Sequence, residues 1–299
     1  MEENKKCYGS EGCSGDCSSC AHNSCSGDCS SCGHNCGGSK EDFLVKLNEK
    51  SSIKLVLGVL SGKGGVGKSL VTSLLATKLS KAGLKVGILD GDITGPSIPK
   101  AFNIHEPAYQ EGGLILPAVT KGGIKLISSN MLLESEDDPI IWRSSLICSL
   151  LTQFYRDVRW EKLDVLLIDL PPGTGDVSLT TFQSFPLDGV IMVTAPQDLV
   201  SMIVKKSINM VEAMNIPVLG VVENMSYVVC PNCDEKIYIY GNKSSLEFKQ
   251  RYGYERLDQI PFDGKLTSLI DNGQIEDYQG NYLDTVVDMV KEMRDLKYE

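Results

Sequence analysis

"IKLVLGVLSGKGGVGKSLVTSLLATKLSKAG", residues 53–83, is the part of this 299-residue chain that most clearly indicates its fold class. Its first part, "IKLVLGVL" (53–60), is a continuous apolar run rich in β-branched residues, which predicts a buried strand. A glycine-rich turn follows. After it, "KSLVTSLLATKLSKAG" repeats apolar residues at helical spacing and ends at Gly83, a typical helix stop. The order is therefore strand, glycine loop, helix.

Four more apolar runs predict further buried strands. They are "KVGIL" (85–89), "LDVLLIDL" (163–170), "GVIMVT" (189–194) and "PVLGVV" (217–222). Helical patterns lie between most of them, notably at 198–214, and an amphipathic pattern of mixed charge at 282–296 predicts a helix packed on the core. Because such alternation builds right-handed βαβ units, we predict an α/β fold with a mostly parallel, doubly wound sheet.

The first 42 residues differ in composition from the rest of the chain. Apart from cysteine, their apolar residues are Met1, Tyr8 and Ala21, too few to bury a hydrophobic core. The remainder has the size of one large α/β domain. We predict that the chain has three parts: a largely unstructured cysteine-rich tail at 1–40, a linker at 41–52 and a globular domain at 53–299.

Charge and hydropathy exclude two classes of partner. The net charge of −10 leaves no electrostatic source for phosphate-backbone binding, so we expect no nucleic-acid partner. No run approaches the roughly 18 apolar residues of a membrane-spanning helix, and the N-terminus lacks an apolar signal region. Without signs of export, the 11 cysteines indicate metal or redox chemistry rather than disulfides. We expect a cytoplasmic protein without a membrane partner.

Residues 62–69, "GKGGVGKS", satisfy G-x-x-x-x-G-K-[ST] between the predicted strand and helix, the context that this phosphate-binding pattern requires. Backbone N–H groups of such a loop surround phosphate oxygens, while Lys68 can reach the β- and γ-phosphates and Ser69 can ligate Mg²⁺. The alternative is a glycine turn that merely enters a helix. The candidate ATP-binding residues of the loop are Gly62, Lys63, Gly64, Gly65, Val66, Gly67, Lys68, Ser69 and Leu70.

Three aspartates follow predicted strands. "ILDGD" ends one strand with Asp90 and Asp92, and "VLLIDL" places Asp169 near the end of another. Because the carboxyl ends of parallel strands lie beside such a loop, these carboxylates can hold Mg²⁺ directly or through water. One aspartate alone could cap a turn, but three at the same edge favour a nucleotide site.

A second lysine, Lys63, follows the first glycine, and "KGGVGKS" thereby resembles the deviant Walker A loop of the MinD, ParA and nitrogenase-iron-protein class of ATPases. The resemblance implies a P-loop NTPase fold in which Lys63 reaches across a nucleotide-sandwich dimer to the partner's phosphates. It also implies that Asp169 is the Walker B residue and that Asp92 orients the attacking water. The implied catalytic residues are Lys63, Lys68 and Asp92, and the implied Mg²⁺ site comprises Ser69, Asp90 and Asp169.

The same class uses an asparagine after a strand to read the adenine edge. Asn224 in "GVVENM" matches that position. Pro261 in "IPFD" and Gln197 in "APQ" are weaker candidates for the rim of the base site, on the same resemblance.

"CPNC" gives Cys230 and Cys233 the C-x-x-C spacing of two ligands to zinc or to an iron-sulfur cluster. Outside the tail the chain offers one more cysteine, Cys148, at an apolar position of a predicted helix. A symmetric homodimer would supply four thiolates from two such pairs. A zinc turn is one alternative. A thioredoxin-like redox pair is another, but such a pair opens a helix, whereas "DEKIYIY" after this one has a strand-like alternation.

Residues 53–299 resemble one family, the Mrp/ApbC-type iron-sulfur carrier ATPases, in "ILDGDITGPSIPKAF", "LDVLLIDLPPGTGD" and "GVVENMSYVVCPNC". The resemblance implies that ATP-dependent homodimers hold a labile [4Fe-4S] cluster on the C-x-x-C pairs and transfer it to apo-proteins. Two alternatives from the wider class are an ATP-dependent electron donor resembling the nitrogenase iron protein and a MinD- or ParA-type positioning ATPase.

The tail contains "CSGDCSSCAHNSCSGDCSSCGHNC" (13–36), a near-repeat with a period of 12. Because the tail has no core, bound metal would supply its folding energy, and some relatives in the carrier family have a four-cysteine extension with its own cluster. The open alternatives are two clusters, one cluster with spare thiols, or zinc. The candidate ligands are Cys13, Cys17, Cys20, Cys25, Cys29, Cys32 and Cys36, with Cys7 as an eighth thiol.

Overall fold

The computed structural model describes residues 44–92, 97–132 and 144–297, without the side chains at 144–145 and 198–201. The predicted cysteine-rich tail, with all its candidate metal ligands, lies outside the described residues. The strands are β1 (Ser52–Ser61), β2 (Val86–Asp90), β3 (Tyr109–Glu111), β4 (Leu114–Leu116), β5 (Ala118–Val119), β6 (Lys125–Ser128), β7 (Lys162–Asp169), β8 (Gly189–Thr194), β9 (Val218–Glu223), β10 (Val228–Val229), β11 (Lys236–Ile237) and β12 (Arg256–Gln259).

The α-helices alternate with the longer strands. They are α1 (Lys68–Lys81), α2 (Ile98–Ala101), α3 (Ser144–Asp157), α4 (Asp176–Ser184), α5 (Asp198–Ala213), α6 (Ser245–Tyr252), α7 (Gly264–Asp271) and α8 (Asp284–Leu296). The predicted helices at 198–214 and 282–296 are α5 and α8. Val286, Val287 and Val290 of α8 are buried in the core, as its amphipathic pattern predicts. None of the described helices has the length and apolar character needed to cross a membrane.

Within the described ranges, eight strands form one sheet in the order β12-β9-β8-β1-β7-β2-β6-β5. Neighbouring strands are parallel except for β5 and β6, which are antiparallel. β1 lies between β7 and β8, and every residue from Leu55 to Ser61 is buried, because a parallel sheet is covered on both faces. The predicted α/β fold with a mostly parallel sheet is confirmed, and its five predicted strands are β1, β2, β7, β8 and β9.

The segment before β1 makes hydrogen bonds with the domain. The compact unit begins at Leu44, and β1 begins at Ser52 rather than at residue 53. The backbone nitrogen of Val45 donates to the carbonyl oxygen of Ser184 at 2.8 Å, and Asn48 Nδ2 donates to that of Arg156 at 2.7 Å. Residues 44–51 are therefore bonded to the domain, while the predicted division into a tail at 1–40, a linker at 41–52 and a domain at 53–299 stays a prediction.

Candidate functional site

The glycine loop leaves the carboxyl end of β1 and enters α1, as the sequence predicts. Gly67 directly precedes the helix with a φ of +80°, a left-handed conformation that favours glycine. A Cβ at this position would come within 2.2 Å of Asn224 Nδ2. The loop can take this course only with glycine at residue 67.

The loop borders a cavity of about 330 Å³ at the carboxyl edge of the sheet. The predicted residues that line it include Gly64, Gly65, Gly67, Lys68, Ser69 and Leu70. Asp92 forms part of another wall. Thr267 and Ile270 of α7 also line the cavity, and no sequence motif pointed to them. The predicted phosphate loop and one predicted catalytic carboxylate thus face the same space.

Lys68 is buried among carboxylates at the base of this cavity. Its Nζ lies 2.6 Å from Oδ2 of Asp169 and 3.3 Å from Oδ2 of Asp92. Burial lowers the pKa of Lys68, but the charges of Asp169, Asp92 and Asp90 together with the hydrogen bond to Asp169 outweigh it, and the pKa is raised. Lys68 is therefore an ammonium ion at neutral pH, available to a phosphate.

Asp169, at the end of β7, is fully buried and gathers hydroxyl groups around it. Ser69 Oγ donates to its Oδ2 at 2.7 Å, and Thr72 Oγ1 donates to its Oδ1 at 2.7 Å. A serine hydroxyl and a carboxylate oxygen at one point are the hard oxygen ligands that Mg²⁺ prefers. Thr72 was missed at the sequence level, where a polar residue on an apolar helix face was the available signal.

Asp90, at the end of β2, is fully buried beside Asp169. Ser128 Oγ donates to its Oδ2 at 3.0 Å, and the backbone nitrogen of Asp92 donates to its Oδ1 at 3.2 Å. Burial, together with the charge of Asp169, raises the pKa of Asp90 to about 8. Its observed contact orients Asp92, while direct Mg²⁺ ligation by Asp90 stays a prediction.

Lys63 extends to the side of the loop, toward the start of α5. Its Nζ donates to Oε1 of Gln197 at 3.2 Å, and Gln197 Nε2 donates to the hydroxyl of Tyr240 at 3.3 Å. Gln197, which is predicted as a candidate for the rim of the base site, contacts Lys63 in the structure. The role of Lys63 across a dimer stays a prediction.

Asn224 and Pro261 lie in two adjoining buried segments. Asn224 Nδ2 donates to the carbonyl oxygen of Val66 at 2.9 Å, so the amide is hydrogen-bonded to the glycine loop. Pro261 is buried next to Ile260, whose carbonyl oxygen accepts from the backbone of Ser226 at 2.9 Å. The adenine contact predicted for Asn224 and Pro261 stays a prediction.

Cys230 and Cys233 lie in the turn of a small hairpin. β10 and β11 pair antiparallel on either side of them, and the backbone nitrogen of Cys230 donates to the carbonyl oxygen of Glu235 at 2.9 Å. The predicted strand-like stretch after the pair is the short strand β11. The pair therefore precedes a strand rather than opening a helix, unlike the thioredoxin-like alternative.

Both thiols are accessible. Cys233 is exposed and Cys230 is partly exposed, and backbone N–H groups of Asn232 and Cys233 that bond to the Cys230 sulfur lower its pKa. Among the described residues, no group of three or more His, Cys, Asp or Glu side chains could hold a metal ion. The Cys230–Cys233 pair of one chain thus offers two thiolates, half of a four-ligand site. Cys148 is partly buried in α3.

Residues 52–294 match the family described, within the ParA group, as NUBPL iron-transfer P-loop NTPases. A relative named iron-sulfur cluster carrier protein, from Clostridium perfringens, is 46% identical over 273 residues, which are 88% of this chain and 94% of the relative. A protein of the same name from Methanocaldococcus jannaschii is 43% identical over 263 residues, which are 87% of this chain and 89% of the relative.

Solved structures agree with this match. A nucleotide-binding protein from Archaeoglobus fulgidus, in complex with ADP, is 42% identical with a TM-score of 0.68 and covers 76% of this chain and 90% of its own. MinD of Pyrococcus furiosus is 17% identical, with a TM-score of 0.56 over 81% of this chain and 99% of its own. At this identity the match shows the shared fold alone. The predicted resemblance is confirmed, and the chain belongs to the family of NUBPL-type iron-transfer P-loop NTPases.

Proposed function

We propose that this protein is an ATP-binding and ATP-hydrolysing iron-sulfur cluster carrier that assembles a [4Fe-4S] cluster between two copies of the chain and transfers it to apo-proteins. The observation that carries the proposal is the accessible Cys230–Cys233 hairpin, in the same domain as a complete phosphate-binding loop. The names of the relatives support it.

The nucleotide chemistry follows from the cavity. Lys68, now balanced by Asp169 and Asp92, would exchange part of that contact for the β- and γ-phosphates of ATP. Ser69 and Asp169 would hold Mg²⁺, because their oxygens meet at one point beside the loop. The bound ion supplies positive charge against the transferring phosphate. Asp92, on the cavity wall, would orient the attacking water.

The cluster chemistry follows from the hairpin. Two thiolates from each of two chains complete the four ligands of a [4Fe-4S] cargo at a two-fold axis. Such a cluster is held by two Fe–S bonds per chain in an accessible turn, so a recipient's thiolates can displace them. Because thiolate ligands must stay reduced, we propose a reducing compartment such as the cytoplasm for the carrier. The tail cysteines stay a proposed second metal site.

Cluster transfer tests this proposal directly. The full chain is loaded anaerobically with iron and sulfide and mixed with an apo-enzyme that needs a [4Fe-4S] cluster for activity. We expect wild type to restore that activity and Cys230→Ala/Cys233→Ala to restore little of it. Lys68→Ala should keep the cluster absorbance but lose any acceleration by ATP. Transfer at the wild-type rate by the double cysteine variant would show that the hairpin is not the carrier site.

A further inference from the structure

The segment that holds the two cysteines is connected to the glycine loop directly at one end and through the side chain of Gln197 at the other. We define the cysteine segment as residues 224–240. At its start, the buried Asn224 donates from Nδ2 to the carbonyl oxygen of Val66 at 2.9 Å. Asn224 also donates from its backbone nitrogen to the carbonyl oxygen of Thr194 at 2.8 Å, so this end is tied to both the loop and the sheet.

The other end of the cysteine segment reaches the loop through one intermediate side chain. The hydroxyl of Tyr240 accepts from Nε2 of Gln197 at 3.3 Å, and Oε1 of the same amide accepts from Lys63 Nζ at 3.2 Å. Tyr240 is 46% exposed and Gln197 is exposed. Because water competes for exposed hydrogen bonds, this end is held more weakly than the buried end at Asn224.

Close packing fixes the place from which Lys63 reaches Gln197. Gly62 lies against α5, where a Cβ at residue 62 would come within 2.8 Å of the backbone nitrogen of Val204. Gln197 directly precedes the same helix in an extended conformation. The backbones that carry the lysine and the amide therefore hold their spacing, and the contact between them changes only when the side chains turn.

Between its two ends the cysteine segment is internally braced. The rings of Tyr227 and Tyr238 lie 5.5 Å apart, and the ammonium group of Lys236 lies 4.6 Å from the centroid of the Tyr227 ring. The β10–β11 pairing encloses the two cysteines. Tyr240 follows β11 by three residues, so a change at Tyr240 reaches the thiols along residues 238–239 and then through the paired hairpin.

We propose that the Lys63–Gln197–Tyr240 chain of hydrogen bonds is a latch that couples the nucleotide state of the loop to the accessibility of Cys230 and Cys233. In this scheme Lys63 gives up its contact with Gln197 when its side chain turns toward a phosphate. When ATP draws the lysine away, Gln197 turns from Tyr240, and the cysteine segment loosens at that end while Asn224 holds the other. Gln197 and Tyr240 are positioning residues in this scheme, which rests on the proposed function.

The latch is tested by the alkylation rate of the two thiols, measured on the full chain with iodoacetamide and resolved by mass spectrometry of the peptide that contains them. Rates are taken with and without Mg²⁺ and a non-hydrolysable ATP analogue. The variants are Tyr240→Phe and Gln197→Leu, which break the latch. Gln197→Glu can still accept from Lys63 and from the tyrosine hydroxyl, and so should preserve it. Tyr238→Phe is the matched control in the same hairpin.

Without nucleotide, we expect alkylation three- to tenfold faster in Tyr240→Phe and Gln197→Leu than in wild type, with Gln197→Glu and Tyr238→Phe within twofold of wild type. For each protein, the alkylation rate with the ATP analogue is divided by the rate without it. We expect this ratio to be at least three times larger for wild type than for Tyr240→Phe. If the analogue changes both rates by the same factor, or if Gln197→Glu behaves like Gln197→Leu, the latch does not exist.

This measurement needs no cluster, so it separates the two proposals. If the protein binds and transfers a cluster but the analogue changes the alkylation rates of wild type and Tyr240→Phe equally, the carrier proposal stands and the latch proposal fails. A chain that shows the latch but binds no cluster at Cys230 and Cys233 retains the coupling and loses the carrier function.

Discussion

At the scale of single residues, the charge of Lys68 is what allows carboxylates to gather at the base of the cavity. Asp169 is fully buried and Asp92 largely so, and each lies within salt-bridge distance of the ammonium group. Buried charges of one sign are costly unless an opposite charge neutralises them. The lysine that would bind phosphate therefore also stabilises the site before nucleotide arrives.

The buried carboxyl group of Asp90 makes the free energy of unfolding depend on pH. Its pKa is raised from 3.8 to about 8 by burial and by the neighbouring Asp169. Between those values the folded chain keeps a proton that the unfolded chain releases, so this group lowers the free energy of unfolding as the pH rises. The free energy of unfolding is unaffected by Asp90 below a pH of 3.8, and the loss is complete above a pH of about 8.

We therefore predict that Asp90→Asn flattens the decline in unfolding free energy between pH 5 and pH 8, by up to about 1.4 kcal/mol per pH unit. Asparagine can still accept from Ser128 or from the backbone of Asp92 while carrying no charge. Urea unfolding in nucleotide- and magnesium-free buffer measures the slope. Parallel slopes for wild type and variant would mean that Asp90 ionises normally.

At the scale of elements, the turn from β1 into α1 depends on Gly67. We predict that Gly67→Ala weakens ADP binding at least tenfold, because the added Cβ would collide with the Asn224 amide in addition to straining the backbone. Titration with a fluorescent ADP analogue measures the affinity, and thermal unfolding measures the stability.

Gly83→Ala is the matched control. Gly83 has a similar φ of +88° after α1, with nothing within 4 Å of an added Cβ. Its substitution should therefore cost the backbone strain alone, about 1–2 kcal/mol, with the ADP affinity preserved. Equal effects of the two alanines on binding would contradict the role of the Asn224 contact.

The elements that the sequence could predict are those with a strong pattern. Residues 55–60 of β1 and 165–168 of β7 are buried and appear as unbroken apolar runs, and the glycine motif marks the turn into α1. β12, with the sequence "RLDQ", is a partly exposed edge strand and has no such run. β10 and β11 have two residues each, too few for any periodicity, so the cysteine spacing predicted ligands without predicting a hairpin.

The site was predictable where local motifs define it, and less so where distant segments meet. The loop, Lys68 and the strand-end aspartates follow from local spacing. Ser128 and Thr72 complete the hydrogen bonding of Asp90 and Asp169, yet each is an ordinary hydroxyl residue in the sequence. Gln197 reaches Lys63 from 134 residues away, a contact that only the folded sheet creates.

At the scale of the whole molecule, the proposed cluster site requires two chains. Each chain carries a net charge of −10, so two copies repel one another at long range. Apolar side chains exposed around the cysteine segment, among them Ile237, Ile239 and Tyr240, offer contact area to offset that repulsion. Because salt screens the repulsion, pairing of the chains should strengthen as ionic strength rises.

Iron counting measures whether two chains share one cluster on Cys230 and Cys233. Full-length wild type and Cys230→Ala/Cys233→Ala are reconstituted anaerobically with iron and sulfide and separated by size, with Cys148→Ala as the control. A four-iron cluster shared by two chains predicts that wild type holds about two more iron atoms per chain than the double variant, in the dimer fraction, and that Cys148→Ala matches wild type. Equal iron in wild type and double variant, or zinc at the pair without iron uptake, would mean that Cys230 and Cys233 hold no shared iron-sulfur cluster.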